Sequence, residues 1–222
     1  MILSKSLKHG WYYYYKVHEE TLDTVRQSGY SSLADFLLDA RQQENRPDSR
    51  FERGPRSSQA DLSVNAGVNE VDHLVTDLAS IGLESDYYKD NHMNVQMFML
   101  AYDKQTFAME VPVWFQNDEW NVPNVHEMTG HIDLLRIEDN HVWVWDYKPD
   151  AHLEETATTQ TLLYAMMLSD CADIPLDNIT CGYFDELRAY TYDPALLQIM
   201  DWDKMPRPSV KPNPNPRFCS KT

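Results

Sequence analysis

The segment Gly130-His131-Ile132-Asp133, then Val142-Trp143-Val144-Trp145-Asp146-Tyr147-Lys148, then Gln160 and Tyr164, combines residue types that can work on a phosphate ester. Side chains alternate along a strand, so Asp146 and Lys148 point one way and Tyr147 the other. The short turn Glu138-Asp139-Asn140 makes the two strands an antiparallel hairpin, which can bring Asp133 near Asp146. Two carboxylates at that range repel unless a cation lies between them. Oxygen ligands of this kind suit Mg2+ or Mn2+, which keep waters and share a substrate phosphate. A lysine beside them can stabilise charge on an attacking water or on the phosphorus. Gln160 and Tyr164, four apart on a following helix, share one face and can orient phosphate or support Lys148.

Each signal alone is weak. Asp-x-Lys is usually a solvated strand face, Gly-x-x-Asp is common in turns, and Gln-x-x-x-Tyr is ordinary helix surface. Here Val142 to Trp145 are apolar on both faces, which marks a central, buried strand with the polar pair at its end. The three pieces in order, on the expected elements, give one another meaning. A rival pattern, His126-Glu127-Met128-Thr129-Gly130-His131, fails as a zinc-protease helix because its histidines are five apart and glycine holds the required position.

The elements around these residues read as follows. Residues 1–60 are an N-terminal helical segment, with Leu33, Phe36, Leu37 and Ala40 at helical spacing, followed by a flexible Arg-rich loop from Arg41 to Ala60. Trp11 to Tyr15 form an aromatic patch suited to a core or a stacking surface. Residues 61–203 hold the core. It begins with an amphipathic helix from Asn69, with Val71, Leu74, Val75, Leu78 and Ile81 on one face and Gly82 as its stop. A helix or strand follows over 95–102, then a strand Phe107 to Trp114 that alternates less cleanly. Strands near 130–137 and 141–147, a helix near 154–169 and a strand pair at 179–185 and 187–192 complete it. Residues 204–222 are a Pro-rich tail. This order implies an α/β domain with a central mixed β-sheet flanked by helices.

A chain of 222 residues suits one domain with a real core. With 42% apolar and 12% aromatic residues the composition is globular, and no apolar run nears the roughly 18 residues that span a bilayer. Met1 to Trp11 lacks the apolar stretch of a secretory signal. Cys171, Cys181 and Cys219 are odd in number and show no CxxC pairing, which argues for a reducing compartment and against disulfides or a zinc site. A cytoplasmic protein is expected. The net charge of −16 opposes non-specific DNA binding, which depends on cationic contacts to phosphates. The charge is uneven, however: residues 61–203 hold five cations against 27 acids. Lys148 stands out in that background.

Over residues 130–164 the chain resembles the PD-(D/E)XK nuclease superfamily, and within it the RecB-type branch, including the CRISPR-associated RecB-like exonucleases. In that branch a Gly-x-x-Asp strand is followed by an Asp/Glu-x-Lys strand and a Gln-x-x-x-Tyr helix. The resemblance implies a restriction-endonuclease-like core and a Mg2+- or Mn2+-dependent deoxyribonuclease, an exonuclease in its nearest relatives, acting on DNA in recombination, repair or processing. It makes Asp133 and Asp146 metal ligands with the Tyr147 carbonyl as a further ligand, Lys148 the catalytic lysine, and Gln160 and Tyr164 residues that position DNA. The branch also carries an upstream histidine ligand, which implies His73 in Gly67-Val68-Asn69-Glu70-Val71-Asp72-His73, with Glu70 as the competing ligand. CRISPR-associated members hold an iron–sulfur cluster with one N-terminal and three C-terminal cysteines. This chain has no cysteine before Cys171, so that cluster is not expected. The alternative to a nuclease is a nuclease-fold binding or assembly module with little activity of its own, docking a helicase or another DNA-processing protein through the aromatic N-terminus and the proline tail.

Overall fold

Strands rich in Val, Ile, Leu and Trp run through the middle of the molecule because both of their faces find apolar cover. The computed structural model describes residues 1–9, 11–40, 56–57, 64, 67–85, 87–115 and 128–197. Among the described residues there are eight strands: β1 (Ile2–His9), β2 (Trp11–His18), β3 (Asn69–Val71), β4 (Thr106–Trp114), β5 (Thr129–Glu138), β6 (His141–Tyr147), β7 (Ile179–Phe184) and β8 (Ala189–Tyr192). They form one mixed sheet in the order β1-β2-β4-β5-β6-β7-β8-β3. Among the named strands only β6 and β7 pair in parallel, and the helix between them, α5 (Ala157–Ala172), supplies the long crossover that a parallel pair requires. Helices α1 (Glu19–Gln27), α2 (Ser31–Ala40) and α5 share one apolar cluster with Val111, Ile132, Leu135 and Val144 of the sheet. Helices α3 (Leu74–Leu83) and α4 (Asn91–Tyr102) share another with Met109, Leu134, Trp145 and Phe184. The result is the α/β class expected, a mixed sheet flanked by helices. β4 and β5 are buried almost end to end, as strands covered on both faces should be.

The structure departs from the sequence reading in three places. Residues 2–18 are a β-hairpin rather than helix. Leu3, Leu7, Tyr15 and Val17 are buried while Ser4, Ser6, Lys8, Tyr12 and Tyr14 are exposed, which is the two-residue period of a strand. The helical part of the N-terminal reading holds from Glu19 to Ala40. Second, the helix expected from Asn69 starts at Leu74, after the short strand β3. Its buried stripe is Val75, Ala79 and Gly82, whereas Leu74 and Ile81 are about half exposed. Gly82 lies inside the helix, and a Cβ there would stand 2.9 Å from the Val95 Cα, so glycine lets α3 and α4 pack closely. Third, the ambiguous segment before β4 is the helix α4, begun by Asp90, whose Oδ1 accepts from the His92 N–H at 3.0 Å.

The β5–β6 hairpin closes as expected. Asp139 and Asn140, at φ 48° and 62°, supply the two left-handed residues that a tight two-residue turn uses. Most of the Arg-rich loop, His126 of the rejected zinc pattern, Cys219 and the Pro-rich tail lie outside the described residues. No helix among the described residues is long and apolar enough to cross a membrane.

Candidate metal centre

Pairing across three neighbouring strands puts three acids in a row. Leu134 pairs with Trp145, so Asp133 faces Asp146 across the β5–β6 hairpin. Met109 pairs with Leu134 and Val111 with Ile132, which sets Glu110 opposite Asp133 on the other side. Glu110 has φ 52°, a left-handed conformation that costs a residue with a Cβ about 1–3 kcal/mol. The kink resets the alternation of β4. Ala108 and Val111, three apart, both join the cluster beneath α5, where a regular strand would send them to opposite faces. The uneven alternation of this segment also reflects the register shift between Thr106 and Ala108, where the adjacent Phe107 and Ala108 both join that cluster. The strain is repaid by bringing a third carboxylate to the centre.

Helix α4 adds a histidine. His92 in its first turn places Nε2 3.0 Å from Asp133 Oδ2, and Tyr147 donates its backbone N–H to the same oxygen at 3.0 Å. Gln96, one turn after His92 and fully buried, donates to Glu110 Oε1 at 2.9 Å and to the Asp133 carbonyl at 3.3 Å. The Lys148 ammonium lies 2.7 Å from Asp146 Oδ2. Lys148 is held in register because its own N–H donates to the Phe184 carbonyl at 2.8 Å. The structure therefore brings Asp133, Asp146 and Lys148 together, with Glu110 and His92 beside them.

His73 and Glu70 stand elsewhere. His73 Nε2 is 3.0 Å from Glu138 Oε2, and its Nδ1 accepts from the Val75 N–H at 3.3 Å, capping α3. Its ring packs on Trp145 and Trp143 at 4.9 and 5.4 Å. Glu138 is five residues beyond Asp133, roughly 17 Å along an extended strand, and it is also paired with the buried Arg136. Glu70 is exposed on the edge strand β3, where it pairs with Tyr190. The histidine next to Asp133 is thus His92 and not His73. Its signal in the sequence was faint: an Asp-Asn-His start to a helix, with its contact to β5 formed only in the tertiary fold.

Gln160 and Tyr164 meet as their spacing implies, Gln160 Nε2 donating to the Tyr164 hydroxyl at 2.7 Å. The Tyr164 ring lies under Gly130, where a Cβ would come within 2.5 Å of Cε1. That contact explains the glycine of Gly-x-x-Asp as a close approach between β5 and α5. Gly130→Ala should therefore cost about 1–3 kcal/mol by overpacking and shift the strand that carries Asp133. Chemical denaturation would check it, and an unchanged midpoint would contradict the contact. A cleft of about 430 Å³ opens above these residues, lined among others by Tyr12, Tyr14, Arg56, His92, Glu110, Asp133 and Tyr164.

Burial and crowding set the charges. Burial and the neighbouring Asp133 carboxylate push Asp146 up. Burial also opposes ionisation of Asp133, but the His92 charge and hydrogen bond hold it below the usual carboxylate range. Burial together with Asp133 raises Glu110 to about 7. Burial opposes the charge on His92, yet Asp133 and Glu110 raise it to about 9. Burial likewise works against Lys148, but Asp146 and Asp133 lift it to about 12, so it stays a cation. Protons here do what a divalent ion would do better.

The residues fit such an ion. Ligand atoms of His92, Glu110 and Asp133 lie within 4.8 Å of one another. Apart from Lys148, no donor among the described residues reaches the fully buried Asp146 carboxylate. Carboxylates with one imidazole form a hard, mixed oxygen–nitrogen donor set. Because ligands must shed protons to bind metal, affinity for Mn2+ should rise with pH between about 6 and 9, as His92 and Glu110 deprotonate. Titration calorimetry in buffers of different ionisation enthalpy should show protons released; affinity independent of pH would contradict this assignment.

A row of buried acids beside a half-buried lysine, on a mixed sheet flanked by helices, is the arrangement of a metal-dependent nuclease fold. A family model described as the PD-(D/E)XK nuclease superfamily matches residues 29–219, and the chain belongs to that family. Its α/β sheet is accordingly the restriction-endonuclease-like core. No curated protein and no solved structure matches the chain.

Proposed function

We propose that this protein is a Mg2+- or Mn2+-dependent deoxyribonuclease of the RecB type, an exonuclease acting in DNA recombination, repair or processing. The observation that carries the reading is the meeting of His92, Glu110 and Asp133 on one cleft, with Asp146 facing Asp133 across the hairpin and Lys148 held against Asp146. His92, Glu110, Asp133 and Asp146 would hold the ion, with the Tyr147 carbonyl as a further ligand. When bound, the ion would supply Lewis-acid polarisation of the phosphate and of the attacking water.

The rest falls to the protein's own groups. Lys148, protonated and fixed against Asp146, offers a positive charge to the phosphate as negative charge grows in the transition state. Gln96 fixes Glu110 and the Asp133 backbone, so the ligand set is organised before substrate arrives. Gln160 and Tyr164 on α5 line the cleft wall and position the strand.

End-labelled single- and double-stranded DNA, incubated with Mg2+, Mn2+ or chelator, tests the proposal. Metal-dependent release of short products from strand ends, lost in Asp146→Ala, is the expected result. Cleavage that survives Asp146→Ala would refute the site. Absence of cleavage with either metal would favour a binding module built on a nuclease fold.

A further inference from the structure

The cleft above the acid row has one wall that the catalytic reading does not use. Tyr12 and Tyr14 lie two residues apart on β2, are 67% and 49% exposed, and both line the cleft that reaches Asp133 and Gln160. Alternation puts their rings on the same face of the strand. Both rings are exposed on the strand, and a tyrosine ring left in water is an apolar surface without cover. The pairing of β1 with β2 sets Lys8 beside Tyr12 and Ser6 beside Tyr14, and Lys16 follows two residues on. Across the strand, Arg56 is held at the cleft wall, its Nη1 donating to the Tyr13 hydroxyl at 3.1 Å and its guanidinium 5.8 Å from the Tyr13 ring. In a chain of net charge −16, this is a local alternation of cations and aromatic rings.

We propose that Tyr12 and Tyr14 form a base-stacking clamp that makes an unpaired nucleotide, and hence single-stranded DNA, the substrate presented to the metal centre. This deepens the nuclease reading and rests on it. Successive same-face residues on a strand are roughly 6.6 Å apart, about twice the 3.4 Å spacing of stacked bases. The two rings can therefore flank one base or stack on two bases of an extended strand. Stacking on aromatic side chains needs a free base face, which a duplex withholds except at its ends. Lys8 stands beside the clamp as the cross-strand partner of Tyr12, and Arg56 lines the same cleft from its place on Tyr13; together they supply cationic contacts that the acidic body of the protein lacks. Because stacking is indifferent to base identity, the clamp selects strandedness and not sequence.

Binding is measured on the full chain in chelator and low salt, so that no cleavage occurs, by fluorescence anisotropy of three labelled 12-mers. These are oligo-dT, the same backbone with abasic residues, and a blunt duplex. The wild type should prefer oligo-dT to the abasic strand and to the duplex by about tenfold or more. Tyr12→Ala/Tyr14→Ala should erase the preference for bases, and Tyr12→Phe/Tyr14→Phe should keep it, since only the ring face is required. A wild type that binds abasic and dT strands alike, a duplex bound as tightly as the single strand, or an alanine pair that retains the preference would each overturn the clamp. Metal-dependent cleavage measured alongside separates the two claims. Cleavage without base preference refutes the clamp alone, whereas base preference without cleavage refutes the nuclease reading alone.

Discussion

Lys148→Ala should slow single-turnover DNA cleavage by about 10²- to 10³-fold while leaving Mn2+ binding intact. The lysine touches Asp146 at 2.7 Å and, lifted to about 12, remains charged throughout the working pH range. It is a donor of fixed positive charge, and loss of one preorganised group of that kind costs a few powers of ten in rate. It is not a metal ligand, so calorimetry with Mn2+ should give an affinity equal to or tighter than that of the wild type once the competing cation is gone. Lys148→Arg keeps the charge but not the compact ammonium geometry, and it should recover only part of the rate. A rate unchanged in Lys148→Ala would remove the lysine from the mechanism.

His92→Ala and His73→Ala should have opposite signatures. His92 reaches Asp133 and can ligate an ion shared with Glu110, so its removal should weaken Mn2+ binding by 100-fold or more. That exceeds the roughly 10–100-fold typical of residues that only support a ligand. Removing it also takes the imidazolium charge from Asp133 and Glu110 when metal is absent, leaving Lys148 as the cation near Asp133. His73→Ala should bind Mn2+ like the wild type and instead lose about 1–3 kcal/mol of stability, because it caps α3 and partners Glu138. Metal titration and denaturant unfolding of both variants check the pair. A large fall in metal affinity for His73→Ala with none for His92→Ala would reverse the assignment.

The parts of the site that lie close together in sequence were the legible ones. Asp146 and Lys148 share a strand face by alternation, the Asp139-Asn140 turn sets the register that faces Asp133 to Asp146, and Gln160 and Tyr164 meet by helical spacing. Each of these follows from a local period. His92 and Glu110 come from a separate helix and strand, and no period links them to Asp133. Glu110 further hides because its left-handed backbone breaks the alternation that would have pointed to it. His73 was attractive because it follows a glycine and begins an amphipathic helix, but those features describe a helix cap. The hairpin of β1 and β2 does not show as strand in the sequence because tyrosines fill four of its positions, and aromatic residues mask the alternation of buried and exposed side chains.

The most direct measurement is an anomalous-scattering map from crystals of the protein soaked in Mn2+. A peak bounded by the carboxylates of Glu110, Asp133 and Asp146 and the His92 imidazole, next to Lys148, is the expected result. A peak at His73 and Glu138, or none at the acid row under conditions where Mn2+ supports cleavage, would contradict the metal centre.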